Sequence, residues 1–132
     1  MNDRFNFRAK RIDNNKFVYG YLCFIYIDNE KHCKIYSPDD AMSYDCYTET
    51  LGQCTGLKDR NGSLIYAGDI LGNKDFMSDV ALLKYNNDKC CYILERRSVD
   101  ERFNKWWADR LMVIGNIHEN KDLLKWKKIF LI

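Results

Sequence analysis

The sequence predicts a mainly β protein: a small closed antiparallel barrel over residues 51–132, one or two short helices, and an amino-terminal β-hairpin extension over residues 1–50. Three observations predict it. Short runs of aromatic and β-branched residues recur along the chain, and such side chains suit a pleated surface. Turn chemistry separates these runs at close intervals. A helical spacing of apolar residues occurs in only one short stretch.

The first run, Phe17–Ile27, leads through a turn at Asp28–Lys31 to a return strand, His32–Tyr36, so the two form a hairpin. Ser37-Pro38-Asp39-Asp40 stops that strand. It can also open a short helical turn, with the carboxylates near its positive end. In the centre, Leu51–Arg60 and Ser63–Leu71 flank Asn61-Gly62, a dipeptide suited to the positive φ angles of a tight hairpin turn. Gly56 and Gly68 let the backbone bend on either side, and Gly68-Asp69 enters a strand through a turn that suits glycine.

Val80–Tyr85, a turn at Asn86–Lys89 and Cys90–Glu95 make a second hairpin. Ser98-Val99-Asp100-Glu101 has the form of a capping box and predicts a short helix with Val99, Phe103 and Trp106 or Trp107 on one face. Leu111–Ile117 returns to strand, and Asn120 caps a last amphipathic turn through Leu123, Leu124 and Trp126. Barrel closure over these strands would remove exposed edges.

Composition narrows the function. The 132 residues fit one compact domain or a small domain with an extension. Lys and Arg number 21 against 19 Asp and Glu, a net charge of +2, which disfavours nucleic acid as a partner because phosphate neutralisation needs a basic patch. Charge is uneven, however. Residues 1–20 carry Arg4, Arg8, Lys10, Arg11 and Lys16 against Asp3 and Asp13, and residues 28–50 carry six carboxylates against Lys31 and Lys34. Such runs can draw two copies together or steer a partner, and otherwise are solvated surface. The start of the chain lacks an apolar signal region, and the run Phe17–Ile27 is shorter than the roughly 20 residues that span a bilayer. Cytoplasm, with no membrane association, is the expectation.

The six cysteines at positions 23, 33, 46, 54, 90 and 91 form no C-x-x-C pair. They read as reduced thiols packed like small hydrophobes, ahead of a zinc site built from His32, Cys33, Cys46 and Cys54. Thr55-Gly56-Leu57-Lys58 lacks the glycine pattern of a phosphate loop, and Asp39-Asp40 reads as solvated turn ahead of a metal site. No catalytic residue, metal site or cofactor is expected. Trp106 and Trp107 cannot both face one core, because helical neighbours lie about 100° apart. With Arg102, Lys105 and Arg110 they form the candidate binding surface, since tryptophan and arginine anchor protein interfaces.

Gln53–Ile70 resembles one signature of the YopX family of phage and prophage proteins, and Val113–Leu124 resembles that family's carboxy-terminal signature. Phe7-Arg8-Ala9 and Val18–Tyr21 are also similar. The resemblance implies an SH3-like barrel in the second part, residence in a phage or mobile element, and no established activity. Within it Gly56, Asn61, Gly62, Gly68, Asp69 and Gly115 are structural positions. Cys54, Ala67 and Lys121 depart from the usual aromatic, glutamate and proline. His118 stands where tyrosine is usual, which argues against a catalytic role for His118-Glu119 beside Asp69. The reading is a non-catalytic accessory protein that binds a host protein, such as a defence component, or assembles as a homo-oligomer. The alternatives are a nucleic-acid-binding barrel and sequestration of a small signalling nucleotide.

Overall fold

A computed structural model describes residues 3–97 and 99–124. The chain divides into two compact units, the first ending at Cys54 and the second beginning at Thr55.

In the first unit, a 3-10 turn at Asp3–Phe5 precedes β1 (Phe7–Lys10), β2 (Phe17–Ile27), β3 (Glu30–Ser37) and β4 (Met42–Cys46), and a second 3-10 turn at Thr48–Thr50 leads into β5 (Gly52–Lys58). All pairings are antiparallel: β1 with β2 from Phe7↔Gly20 to Lys10↔Phe17, β2 with β3 from Tyr21↔Tyr36 to Ile27↔Glu30, β3 with β4 from Cys33↔Cys46 to Ser37↔Met42, and Phe7 and Arg8 of β1 with Gln53 and Gly52 of β5. The predicted first hairpin is present with a tighter turn. Asp28 and Asn29 take φ values of 51° and 66°, as a two-residue loop between right-twisted strands requires. Ala9, Val18, Cys33, Ile35 and Cys46 form the core, with Phe7, Leu22, Tyr44 and Leu51 against it. The end of β4 returns to the end of β1 through an Arg11↔Cys46 bridge, and Tyr47 N–H donates to Lys10 O at 2.9 Å.

β4 went unread in the sequence. The Pro38 turn ends with Ala41 at φ 57°, and Asp40 accepts the Met42 N–H at 3.1 Å and the Tyr44 hydroxyl. These bonds re-enter a strand where a helical turn was the alternative. The Tyr44 hydrogen bond also holds the Asp40 carboxyl below the usual carboxylate range.

The second unit takes the rest of β5, then β6 (Leu64–Tyr66), β7 (Asp69–Gly72), β8 (Ala81–Asn86), β9 (Cys91–Glu95), β10 (Asp100–Arg102), α1 (Lys105–Ala108), β11 (Met112–Asn116) and a 3-10 turn at Lys121–Leu124. Five strands form an antiparallel sheet in the order β10-β9-β8-β7-β11. The predicted closed barrel is not formed, because among the described residues β10 and β11 end the sheet without pairing with each other. Its central strands bury both faces: Leu71, Ala81 and Leu83 enter a cluster with Ile65, Leu94, Phe103, Ala108 and Leu111, while Ile70 and Leu82 pack with Leu124. Burial on two sides shields a sheet without closure.

Three further expectations change. Residues 100–102 pair with β9, from Asp100↔Glu95 to Arg102↔Ile93, so the capping-box helix is absent. The helix instead starts after Asn104, whose side chain accepts the Trp107 N–H at 3.3 Å. Ser98 and Trp126 lie outside the described residues. Asn61 does not take positive φ: Gly62 alone does in that turn, at 84°. Asp59 N–H donates to Ser63 O at 2.8 Å and Gly62 N–H to Asp59 O at 3.0 Å, which makes a three-residue loop with a left-handed glycine. Asn120 does stand at the start of the last turn, where its backbone O accepts the Leu123 N–H at 3.0 Å, but its side-chain Oδ1 accepts the Asn116 N–H at 3.1 Å in place of a turn amide.

The buried Asp59 carboxylate accepts N–H groups from Asn61 and Ser63, each at 2.9 Å, and from Val113 at 2.8 Å. Asp59→Ala leaves these donors without their acceptor and is expected to cost about 2–4 kcal/mol, read as a lower urea midpoint at unchanged slope. Burial pushes the Cys33 thiol up and the Cys46 thiol from 9.0 to about 11. In the unfolded chain the thiol ionises first, so its contribution is whole below pH 9 and is lost as pH climbs towards 11. Cys46→Ala is expected to flatten part of the fall in urea midpoint across that window, and an unchanged fall would contradict this.

Candidate functional site

The aromatic surface of the second unit is assembled from two segments. One is α1, where Asn104 caps the first turn and Arg110 N–H donates to Trp107 O at 3.0 Å. On so short a helix, neighbouring indoles diverge. Trp107 packs on the core cluster, and Trp106 is 49% exposed. Their ring centroids lie 5.1 Å apart at 88°.

The other segment is the Asn73–Met77 turn after β7. Asn73 O accepts both the Phe76 and Met77 N–H groups at 2.9 Å, and Asn73 Oδ1 accepts the Asp75 N–H at 3.0 Å. Asn73 Nδ2 donates to Arg110 O at 2.8 Å. One amide therefore joins the turn to the end of α1. Phe76, 40% exposed, meets Trp106 edge-on at 5.6 Å and Trp107 at 5.9 Å, a geometry that the ring quadrupoles favour.

Arg110 completes the platform. Its guanidinium carbon lies 4.0 Å from the Trp106 ring centroid, and Nη1 donates to Trp106 O at 2.7 Å. Stacking and the hydrogen bond together fix both side chains. Beside them a cleft of about 220 Å³ is lined by Arg60, Asn73, Asp75, Phe76, Asp109 and Arg110. Two arginines and two carboxylates line it, so its charge is mixed, and Asp109 is also the partner of Lys105. Behind Trp107, Arg96 lies 5.7 Å from the ring and pairs with Asp79 at 3.3 Å. A larger cleft of about 560 Å³ lies along Gly72, Met77, Val80, Met112, Ile114 and Leu123.

Of the residues singled out in the sequence, Trp106, Trp107 and Arg110 come together. Lys105 turns to Asp109 at 2.9 Å. Arg102, at the end of β10, lines a different cleft with Lys89, Ile93 and Asp100. Phe76, Asn73 and Arg60 went unnoticed, although an aromatic within the polar run Asn73-Lys74-Asp75 is a local sign of an exposed ring. The structural glycines sit at bends: Gly56 and Gly68 have φ of 85° and 96°. Gly115 marks the register shift between β11 and β7, and a Cβ there would approach Asn120 Oδ1 to 2.7 Å.

The other candidates have these places in the fold. Asp69 is buried and accepts the Tyr66 N–H at 2.7 Å. The His118 and Glu119 backbone N–H groups both donate to Asn116 Oδ1 at 3.0 Å. Cys33, Cys46 and Cys54 are buried. Among the described residues, no group of three or more His, Cys, Asp or Glu side chains is placed to hold a metal ion, and no helix is long and apolar enough to cross a membrane.

Asn73→Ala removes both side-chain bonds that set the platform and is expected to cost about 1–3 kcal/mol. Loss of the turn should also alter tryptophan fluorescence in the folded state. Unchanged stability together with an unchanged spectrum would show that Phe76 and α1 are held by other contacts.

Similarity to known proteins agrees with this architecture. A family model described as YopX protein matches residues 6–125. No curated protein matches the sequence. The crystal structure of protein EF1440 from Enterococcus faecalis is similar, with 25% identity and a TM-score of 0.56 over 91% of this chain and 97% of that one.

Proposed function

The chain belongs to the YopX family, and from that premise we propose that it is a phage- or prophage-associated accessory protein that acts by binding a protein of its host, without catalysis. The observation that carries this reading is the half-exposed Trp106, clamped between Phe76 and the Arg110 guanidinium. An indole left in water loses burial that the core would supply. Holding it rigid in advance lowers the ordering cost of binding. Tryptophan and arginine are also the side chains that most often dominate protein interfaces.

The chemistry of the neighbouring cleft supports a protein partner over a polyanion. Arg60 and Arg110 share the cleft with Asp75 and Asp109, and Asp109 also holds Lys105, so the local excess is one positive charge, fewer uncompensated cations than a run of phosphate contacts needs. A peptide or protein surface with an apolar anchor and a mixed-charge rim fits it better. A host defence component is the partner class that phage association favours, and the host cytoplasm is where the two would meet.

Capture from host lysate with the intact protein as bait tests the reading. Trp106→Ala, with its exposed side chain, is expected to fold normally and to lose at least about tenfold in affinity, equivalent to 1.4 kcal/mol. Trp107→Ala is a poorer probe, since it also opens the core. Enrichment of the same host protein by wild type and Trp106→Ala would sink the platform as the binding surface.

A further inference from the structure

We infer that the distal half of the β2–β3 hairpin is a self-association surface, on which the outer edge of β2 pairs antiparallel with the same edge of a second copy of this chain. This goes beyond the host-protein reading and does not depend on it.

β2 changes partners midway. Phe17–Gly20 pairs with β1 on one side, and Tyr21–Ile27 pairs with β3 on the other. Along Leu22–Ile27 the side away from β3 carries no strand among the described residues. A bare edge is a template for another strand unless charge, proline or a bulge blunts it. Leu22-Cys23-Phe24-Ile25-Tyr26-Ile27 contains no charged residue and no proline.

The side chains there extend beyond the first unit's core, which ends at Leu22. Phe24 and Ile25 are each 37% exposed, Tyr26 is 68% and Ile27 is 50%. Phe24 and Tyr26 continue the face of Leu22, and Ile25 and Ile27 occupy the other. Both faces of this stretch of β2 are therefore apolar, while the polar side chains of the hairpin, Glu30, Lys31, His32 and Lys34, lie on β3, away from the bare edge. Clustered exposure of this kind marks an interaction site.

A second copy suits the charges. A two-fold interface sets the same residues against each other, and the uncharged edge meets itself without like-charge repulsion. Antiparallel pairing carries the tip of one copy, with Asp28, Glu30 and Lys31, to the turn before β1 of the other, with Asp3 and the exposed Arg4. Lys31 folds back over the Phe24 ring at 4.0 Å, which leaves the tip carboxylates facing outward. The signs match the wider division of charge, +3 over residues 1–20 and −4 over residues 28–50. Main-chain bonds would then give affinity and the alternating side chains specificity, as in β-strand addition generally.

Sedimentation and light scattering of the full chain, from micromolar to millimolar concentration, test the inference. Wild type is expected to show at least twice the 15.8 kDa monomer mass. Ile25→Lys with Tyr26→Lys places a charge on each face and is expected to raise the dissociation constant at least about tenfold, with the far-ultraviolet circular dichroism spectrum retained. Asp28→Lys should weaken assembly, and adding Arg4→Glu should restore it. A wild type that stays monomeric overturns the inference, including the case in which another protein's strand takes the edge. So does a double-lysine variant that keeps the wild-type mass, or an Asp28→Lys that Arg4→Glu fails to rescue. Trp106→Ala is expected to leave the mass unchanged, and dissociation by that change alone would also overturn it.

Discussion

The buried Asp59 carboxylate is the interaction on which the second unit's architecture rests. It serves two backbone N–H groups of its own turn and one from Val113, 54 residues away. Beside it, Arg60 N–H donates to Leu111 O at 2.9 Å. A hairpin turn, normally a free surface feature, is thus bonded to the strand that follows α1. A carboxylate that accepts several backbone N–H groups makes charge-assisted bonds, about twice as strong as neutral ones. The entropy of joining distant segments must be met by such contacts. Leu111, fully buried in the core cluster, then fixes where α1 ends, and the tryptophans inherit their positions from it.

Asn73 repeats the device at the other end of the platform. Its backbone carbonyl builds the turn that carries Phe76, and its side chain bonds Arg110 O. The surface aromatics are therefore set by polar side chains that are themselves mostly buried. This ordering explains how Trp106 can be half exposed and still hold one geometry. Freedom was already spent in folding the segments beneath it, so little remains to be lost on binding.

Much of the fold was legible because its signals are local. Alternating aromatic and β-branched residues with Asp28-Asn29 between them specify a hairpin without reference to the rest of the chain. The misreadings share a cause as well. Asp100-Glu101-Arg102 follows Val99 in a run that mimics a capping box, yet three ladder positions against β9 outweigh that local pattern. β4 hides because Met42, Tyr44 and Cys46 alternate over only five residues after a proline turn. The Asn61-Gly62 corner was found at the right place with the wrong geometry, since the Asp59 side chain selects a longer loop. Barrel closure was inferred from strand count, and strand count alone does not say whether the central strands are covered on one face or two.

The candidate surface divides along the same line. That one of two adjacent tryptophans must turn outward follows from helix geometry, and Trp106 does so. Its neighbours Phe76, Asn73 and Arg60 come from turns 30 or more residues earlier, which no spacing rule connects to α1. Charge has to be judged in that assembled setting. In sequence, Arg102, Lys105 and Arg110 stand together beside the tryptophans. In space Arg102 lines another cleft, Lys105 is spent on Asp109, and Arg110 lies over the Trp106 ring in a cleft it shares with Arg60 and Asp75. What remains around the indole is an apolar centre with a rim of mixed charge, the arrangement that protein interfaces use.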